Sequence, residues 1–369
     1  MTDSNESPAT RPTYVAYSDD LEQRRPDEDK LIKKIIKSLH RNNEWAFKKY
    51  KHAIRDAHAK SHGILRGELT VSADLPDHLR QGLFATPATY PVIARFSTTA
   101  GAIRSDQIRG VRGLALKVLG VHGPRALPEF PEPTQDFVFV NRSEFPFADV
   151  HAYRWQGMLV ARLLARTPDT LVKLGSGIMR GIGKVGLPLP PFAKLLTEPN
   201  HHPLGQTYHS AAPLRYGEYV AKISIQPSES VKRLVDQPAP RNTGYDADRE
   251  MVVNFFRSNN AQYEVRAQLC TDPASMPIED ASVPWSESAS PRLVVATINF
   301  PTQNADSPKR RAFGDDVLSF NSWRSLADHR PLGSINRLKK DVYEASSDFR
   351  HKMNKVERIE PTDIAELPD

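Results

Sequence analysis

Cysteine is almost absent from this chain. Cys270 is the only one among 369 residues, so no internal disulfide can form, and no Cys/His pairs stand at the spacing of a zinc site. Long apolar runs are absent too, since no stretch of about 18 apolar residues occurs and the polar N-terminus lacks the apolar core of a signal peptide. These absences exclude a membrane-spanning helix and predict a soluble, cytoplasmic protein from a reducing compartment.

Clusters of basic and aromatic residues are also missing. The 50 lysines and arginines are scattered among 44 acidic residues, although the net charge is +6 and the pI is about 9.2. We therefore do not expect binding to nucleic acid. Thirty prolines are far more than a long helical bundle tolerates, and they indicate many irregular connections. The 39% apolar content is enough for a large globular core.

The order of patterns along the chain predicts a tail followed by one domain. Residues 1–30 are polar and read as a tail or arm that needs a partner surface, and residues 31–369 read as a single domain. A helix fits residues 29–55. Strand patterns follow at 64–71, 83–118 and 134–145, and they return at 213–227, 262–272 and 291–301 after an insertion, with a helix at 246–257. Successive strands with polar turns favour an antiparallel sheet that closes into a barrel.

The insertion, at about residues 150–200, has a different character from the strands. Its sequence is both basic and apolar, and Gly and Pro break it into short helices. Such a segment could touch a membrane surface or line the entrance for an apolar substrate. We expect instead that it forms a buried helical subdomain.

Residues 331–350 near the C-terminus have helical periodicity. The apolar positions recur at gaps of three and four, as a helix with one buried face requires: Ile335, Leu338, Val342, Ala345 and Phe349. A second stripe, one residue further round, consists of Lys339, Tyr343, Ser346 and Arg350. It is either a solvated face or a site in which a phenolate ligates a metal, because a nearby cation and a bound metal both favour the phenolate. A phenolate is a suitable axial ligand for ferric haem.

A candidate for acid–base chemistry lies in the early sequence RDAHAK, residues 55–60. Its histidine, His58, has a side chain whose ordinary pKa suits proton transfer near neutral pH. Arg55 and Arg95 could each pair with a carboxylate, and Ser97 could form a hydrogen bond with an imidazole. Each of these signals is weak by itself.

Together, the segments RDAHAK, ARFSTTAG and RGVRGLALKV resemble the core of the haem catalases in order and spacing. The corresponding family runs read R-x-x-H-A-K/R, R-F-S-T-x-x-G and R-D-x-R-G-F-A-L-K. The segment 277–301 resembles the family's tryptophan-containing wrapping loop and last barrel strand, and LSFNSW at 318–323 resembles L-x-F-D-P. The resemblance covers most of residues 55–350.

The resemblance implies an α+β fold, a catalase-like eight-stranded antiparallel β-barrel with surrounding helices. It also implies haem b between the barrel wall and the late helix. In that arrangement Tyr343 would be the axial phenolate on iron, and His58 the distal base, oriented by Ser97. The remaining residues that the resemblance assigns to haem binding are Arg55, Arg95 and Arg350 at the propionates, Phe145 as an apolar neighbour, and Lys339.

The sequence departs from the family pattern at two of these positions. Lys339 stands where the family has an arginine, so the planar two-point hydrogen bond is lost. The family's distal asparagine has no counterpart, and Gln135 or Thr134 is the nearest polar substitute. Because that amide steers the second peroxide, we expect weak catalase turnover. The family's C-terminal helical domain is also not found after Arg350, which predicts a shortened relative.

These features predict a peroxidase that reduces hydrogen peroxide or organic hydroperoxides with a small organic electron donor. The alternative is a fatty-acid hydroperoxide isomerase or lyase similar to allene oxide synthases, for which the apolar, basic residues 171–196 would suit a lipid hydroperoxide. A non-enzymatic haem or lipid carrier is the third possibility. The resemblance also predicts a homodimer or homotetramer with exchanged N-terminal arms.

Overall fold

The computed structural model describes residues 13–189, 193, 196–237 and 244–369. These residues contain the following strands: β1 Lys60–Val71, β2 Thr89–Thr98, β3 Arg112–Leu119, β4 Thr134–Val140, β5 Tyr208–His209, β6 Leu214–Tyr216, β7 Tyr219–Pro227, β8 Ala261–Leu269 and β9 Leu293–Phe300. The helices are α1 Glu28–Tyr50, α2 Val150–Ala152, α3 Met158–Arg166, α4 Asp169–Lys184, α5 Glu229–Lys232, α6 Ala247–Phe256, α7 Pro308–Ala312 and α8 Ser334–Asn354.

The sheet is antiparallel and closes on itself. Strands β1 to β5 pair in sequence order, β7, β8 and β9 also pair in order, and β9 returns to β1. The closing strand is β5, since it pairs with both β4 and β7. Strand β6 forms a hairpin with β7 and adds no further member to the ring. The predicted eight-stranded antiparallel barrel with surrounding helices is therefore confirmed.

Side chains alternate between the barrel interior and its outer wall, as the pleat of a strand requires. On β2, Val92, Ala94 and Phe96 belong to the main buried core. The alternate residues Ile93, Arg95 and Ser97 point outward, and two of these, Arg95 and Ser97, are polar. The outer wall of β2 therefore presents polar groups to whatever packs against it.

Helices α1 and α8 pack together outside the barrel. Leu31, Ile35 and Leu39 of α1 share a buried cluster with Leu338 and Val342 of α8. This contact confirms that the stripe of apolar positions in residues 331–350 is a buried helix face.

A partly buried arginine, Arg337, fixes the N-terminal end of α8. Arg337 Nε lies 2.6 Å from Glu28 Oε1, and its Nη2 lies 2.7 Å from Glu279 Oε2. The side chain is thereby committed to these carboxylates, and it is not free to take the place of the family arginine at position 339.

The helical insertion is not the buried subdomain that we predicted. Apolar residues on α3 and α4 are exposed, including Leu159 at 68% and Leu174 at 61%. The apolar composition of the segment had favoured burial, but composition does not show what covers the apolar side chains. Residues 190–192, 194 and 195 of the insertion lie outside the described part of the chain. Among the described residues, no helix has the length and apolar content needed to cross a bilayer.

The start of the described chain packs on the barrel of its own molecule. Val15 N donates to Cys270 O (2.8 Å), and Tyr17 N donates to Glu218 O (2.7 Å). Residues 1–12 of the predicted arm lie outside the described residues. The exchange of arms, the dimer or tetramer, and the cytoplasmic location all stay predictions.

Candidate active site

Two adjoining cavities lie between the outer wall of the barrel and helix α8. Their volumes are about 270 and 70 Å³. Both are lined by five shared residues: Asp56, Ala57, His58, Val138 and Tyr343. The larger cavity extends towards α1 and α3, whereas the smaller one extends towards the buried arginines of β2 and α8. The early histidine and the late tyrosine thus lie in one connected site.

His58 is held at the junction between α1 and β1 in a strained backbone conformation. Its φ is +56°, and its N–H donates to Thr99 O at 3.1 Å. The ring Nδ1 lies 3.0 Å from Ser97 Oγ. Burial, followed by the positive charges of Arg95 and Lys339, lowers the pKa of His58 to about 3. The imidazole is therefore neutral at neutral pH and able to accept a proton.

The ring of His58 lies directly against the backbone of Gly113 on β3. A Cβ at position 113 would stand 2.2 Å from His58 Cε1 and 2.3 Å from Nδ1. Any side chain at this position would displace the ring. The glycine of RGLALK is thus required by the close approach of the imidazole.

Tyr343 lines both cavities, and its hydroxyl has no hydrogen-bond partner among the described residues. Burial raises the pKa of this phenol, and the charge of Asp56 raises it further. Without a metal ion the neutral phenol is therefore the stable form. A bound cation is needed to favour the phenolate.

Lys339 lines the larger cavity one helical turn before Tyr343. Its Nζ lies 5.8 Å from the centre of the Phe145 ring, and it forms no ion pair with the residues described. Burial lowers the pKa of the amine to about 8. The site therefore contains a cation that forms no ion pair among the described residues, and Phe145 lines the same cavity.

Three arginines, Arg55, Arg95 and Arg350, line the smaller cavity and converge on Asp315. Arg95 Nη2 lies 2.7 Å from Asp315 Oδ1, whereas Arg55 and Arg350 donate to the backbone oxygen of Asp315 at 2.6 and 2.7 Å. Burial and, after it, the positive charge of Arg95 lower the pKa of Arg350 to about 10. The buried Nε of Arg350 has no hydrogen-bond partner among the described residues. The concentration of cations around one carboxylate makes this end of the site attractive to anions.

Gln135 does not line either cavity, and neither does Thr134, so the structure corrects the prediction of a distal amide there. Gln135 Oε1 instead accepts a hydrogen bond from Leu326 N at 2.9 Å. The Gln135 side chain lies on the same face of β4 as Phe137 and Phe139, which belong to the barrel core. Val138 lies on the opposite face of the strand and lines both cavities.

Two acidic residues of the site were not found from the sequence. Asp56 stands within RDAHAK, at a position that the family pattern leaves open, and burial raises the pKa of its carboxyl. Asp315 lies in a π-helical turn, Phe313–Val317, whose position depends on tertiary packing. Only the charge of Asp56 inside the motif could have indicated its importance.

A second buried polar cluster lies nearby, around His62. His62, Asp106 and Asp248 have ligand atoms within 4.8 Å of one another, a separation that a metal ion could bridge. However, Lys60 Nζ lies 2.8 Å from Asp106 Oδ1, and Arg112 Nε lies 2.6 Å from Asp248 Oδ2. The two side-chain cations already neutralise the two carboxylates. This cluster is therefore a structural ion-pair network, and it explains why the motifs contain Lys60 and Arg112.

A closed eight-stranded barrel with a lateral cavity beneath a late helix is the catalase fold, and this chain has that fold. Solved structures with this fold match most of the chain. A bacterial catalase aligns with a TM-score of 0.54 and 16% identity, over 83% of this chain and 58% of its own length. A fungal catalase aligns with a TM-score of 0.55 and 15% identity, over 95% of this chain and 68% of its own length. Catalase A from Saccharomyces cerevisiae aligns with a TM-score of 0.55 and 16% identity, over 98% of this chain and 74% of its own length.

The chain thus spans 58% of the length of the bacterial catalase. No protein-family model matches the sequence, and no curated protein matches it. The likeness is one of fold.

Proposed function

We propose that this protein is a haem-dependent peroxidase that reduces hydrogen peroxide or organic hydroperoxides. The observation that carries the proposal is the meeting of His58, bonded to Ser97, and Tyr343 in the same pair of cavities. A neutral base and a buried phenol beside a cationic pocket are the groups that peroxide chemistry at a haem requires.

The residues present fit a haem. The phenol oxygen of Tyr343, which has no partner among the described residues, would ligate the iron. The two carboxylates of the porphyrin would be held by Arg55, Arg95 and Arg350, where a buried guanidinium nitrogen is unpaired. Charge-assisted hydrogen bonds of this kind are short and strong. Phe145 and Val138 would supply apolar contacts.

Bound haem with an anionic oxygen ligand supplies the redox chemistry that cleaves the peroxide O–O bond. The protein moves the proton. His58 Nε2 would accept it from one peroxide oxygen and return it to the leaving oxygen, because the imidazole is neutral before the reaction. Ser97 Oγ holds Nδ1, so it fixes the direction of the ring.

The cavity lining favours peroxidase over efficient catalase turnover. Val138 and Val140 of β4 present apolar surface to the site, and Gln135 is on the other face of that strand. A valine cannot hydrogen-bond a second peroxide. A small organic electron donor is therefore the preferred reductant.

An isomerase or lyase of fatty-acid hydroperoxides is the second candidate. It is favoured by the larger cavity, whose wall on α3 is formed by Val160, Leu164 and Ala165. An acyl chain would bury apolar surface there, at about 0.8 kcal/mol per methylene group. Lys339, a cation without a carboxylate partner, could meet the carboxylate of such a substrate.

Purified protein reconstituted with haem tests the proposal. Hydrogen peroxide should drive rapid oxidation of a phenolic dye with little oxygen release. The variant His58→Ala should bind haem but lose at least about 100-fold in rate. The matched control is His122→Ala, an exposed histidine outside the site, which should keep the full rate.

Two outcomes contradict the proposal. Silence towards hydrogen peroxide, together with consumption of a lipid hydroperoxide without any donor, would favour the isomerase. Dye oxidation that His58→Ala leaves unchanged would show that His58 is not the base.

A further inference from the structure

The described surface has one concentration of exposed apolar side chains, and it lies on the insertion. All the large apolar residues that are exposed, other than Tyr245 and Ile359, fall between positions 155 and 187. They are Trp155, Leu159, Leu163, Leu171, Leu174, Ile178, Ile182, Val185 and Leu187. Scattered exposed apolar residues are ordinary, but a group on consecutive helices marks a surface that contacts something.

Helix α4 shows the pattern most clearly. Leu171, Leu174, Ile178 and Ile182 recur at gaps of three, four and four, so they form one continuous exposed row, which we call the apolar stripe. The row is about 16 Å long at 1.5 Å per residue. The helix is attached to the protein by its other side, where Val172 and Ser176 are buried.

The charge of this region is strongly one-sided. Residues 150–189 contain six lysines and arginines and a single acid, Asp169. That acid is already paired with Arg104, at 2.6 Å. Arg162, Lys173, Arg180 and Lys184 are exposed beside the apolar residues. An apolar row bordered by cations matches a surface that offers acyl chains beneath anionic headgroups.

The same charge argues against a second copy of this chain as the occupant. A two-fold contact through the insertion would bring its cations against the identical cations of the partner copy, with no free acid in residues 150–189 to compensate. We propose that helices α3 and α4 dock this protein, as a peripheral protein, on membranes that contain anionic lipid.

Docking would bring the membrane close to the candidate active site. Helix α3 is exposed at Leu159 and Leu163, while its Val160, Ala161 and Leu164 line the larger cavity. The helix therefore separates the cavity from the proposed lipid surface. Supply of lipid hydroperoxides through this route rests on the proposed function, but docking itself needs neither haem nor peroxide.

Sedimentation with vesicles tests the docking. We expect the full chain to bind vesicles of phosphatidylcholine with phosphatidylglycerol. Binding should be weaker to vesicles of pure phosphatidylcholine, and weaker to the mixed vesicles at high salt. The double variant Leu174→Glu/Ile178→Glu should weaken binding at least about tenfold, because both side chains leave the acyl region. Lys184→Gln should weaken it about fivefold. Ile359→Glu, on an exposed apolar residue outside the insertion, is the matched control and should bind as the parent does.

Three results would overturn the proposal. They are absence of binding to anionic vesicles, equal loss of binding in the control and the double variant, and a stable dimer that Leu174→Glu separates. The last would identify the apolar stripe as a contact between copies. The substituted side chains are solvent-exposed, so the variants should fold, and their thermal unfolding verifies this. Because no peroxide is used, a negative result here is distinguishable from failure of the peroxidase assay.

Discussion

Replacement of Gly113 by alanine is the sharpest test of how the barrel wall positions His58. The new Cβ would lie 2.2 Å from His58 Cε1 and 2.3 Å from Nδ1, and 3.1 Å from Ser97 Oγ. Ordinary contacts begin near 3.4 Å, so the ring has to move by about 1 Å or more. The Ser97–His58 hydrogen bond would then be lost. A misplacement of this size costs on the order of 100-fold in rate, and the overpacking costs about 1–3 kcal/mol of stability.

The assay compares Gly113→Ala with Gly175→Ala. A Cβ at position 175, in α4, would meet nothing within 4 Å, so the control should lose no peroxidase rate and should gain about 0.5–1 kcal/mol of stability. Haem content is measured by the visible spectrum, the rate by dye oxidation, and stability by chemical denaturation. Full peroxidase activity in Gly113→Ala, with normal haem content, would refute the claim that the close approach of His58 to this glycine matters.

Two further predictions concern stability. Lys117→Met should destabilise the fold by about 3–5 kcal/mol in urea, because the fully buried Lys117 lies 2.6 Å from Asp136 and 2.9 Å from Glu360; a loss below about 1 kcal/mol would contradict this. Burial lowers the pKa of His329 to about 4. The unfolded chain binds this proton first as the pH falls from about 6.5, so stability should drop by about 2 kcal/mol by pH 5. In His329→Gln, the loss of stability on lowering the pH to 5 should be smaller than in the parent by about 2 kcal/mol. A variant whose stability changes with pH as the parent's does would contradict the assignment to His329.

The barrel and the late helix were predictable because their patterns are local. Alternation and helical periodicity identified the strands and the helix at 331–350, which the structure places at Ser334–Asn354. His58 and Tyr343 were weak candidates from charge and spacing alone, and it was the resemblance to the haem catalases that implied their roles, although only the fold brings them into one cavity.

The face of each strand was less predictable. A shift of one residue in register moves a side chain to the opposite face of the strand. The sequence around β4 does not show which of its alternate side chains face the barrel core. Gln135 was chosen as the nearest polar substitute for the family's distal asparagine, but its side chain lies on the same face of β4 as the core residues Phe137 and Phe139, and Val138 was overlooked. The exposure of α3 and α4 could not be predicted either, because burial depends on neighbouring elements that a sequence pattern does not specify.

The visible spectrum of the Tyr343→Phe variant, reconstituted with haem, tests the central claim most directly. Tyr153→Phe, which alters another partly buried tyrosine of the larger cavity, is the matched control. Ligation of iron by the Tyr343 phenolate predicts loss or a gross change of the high-spin ferric bands in Tyr343→Phe and their retention in the control. An unaltered spectrum of Tyr343→Phe would contradict that ligation and the peroxidase proposal built on it.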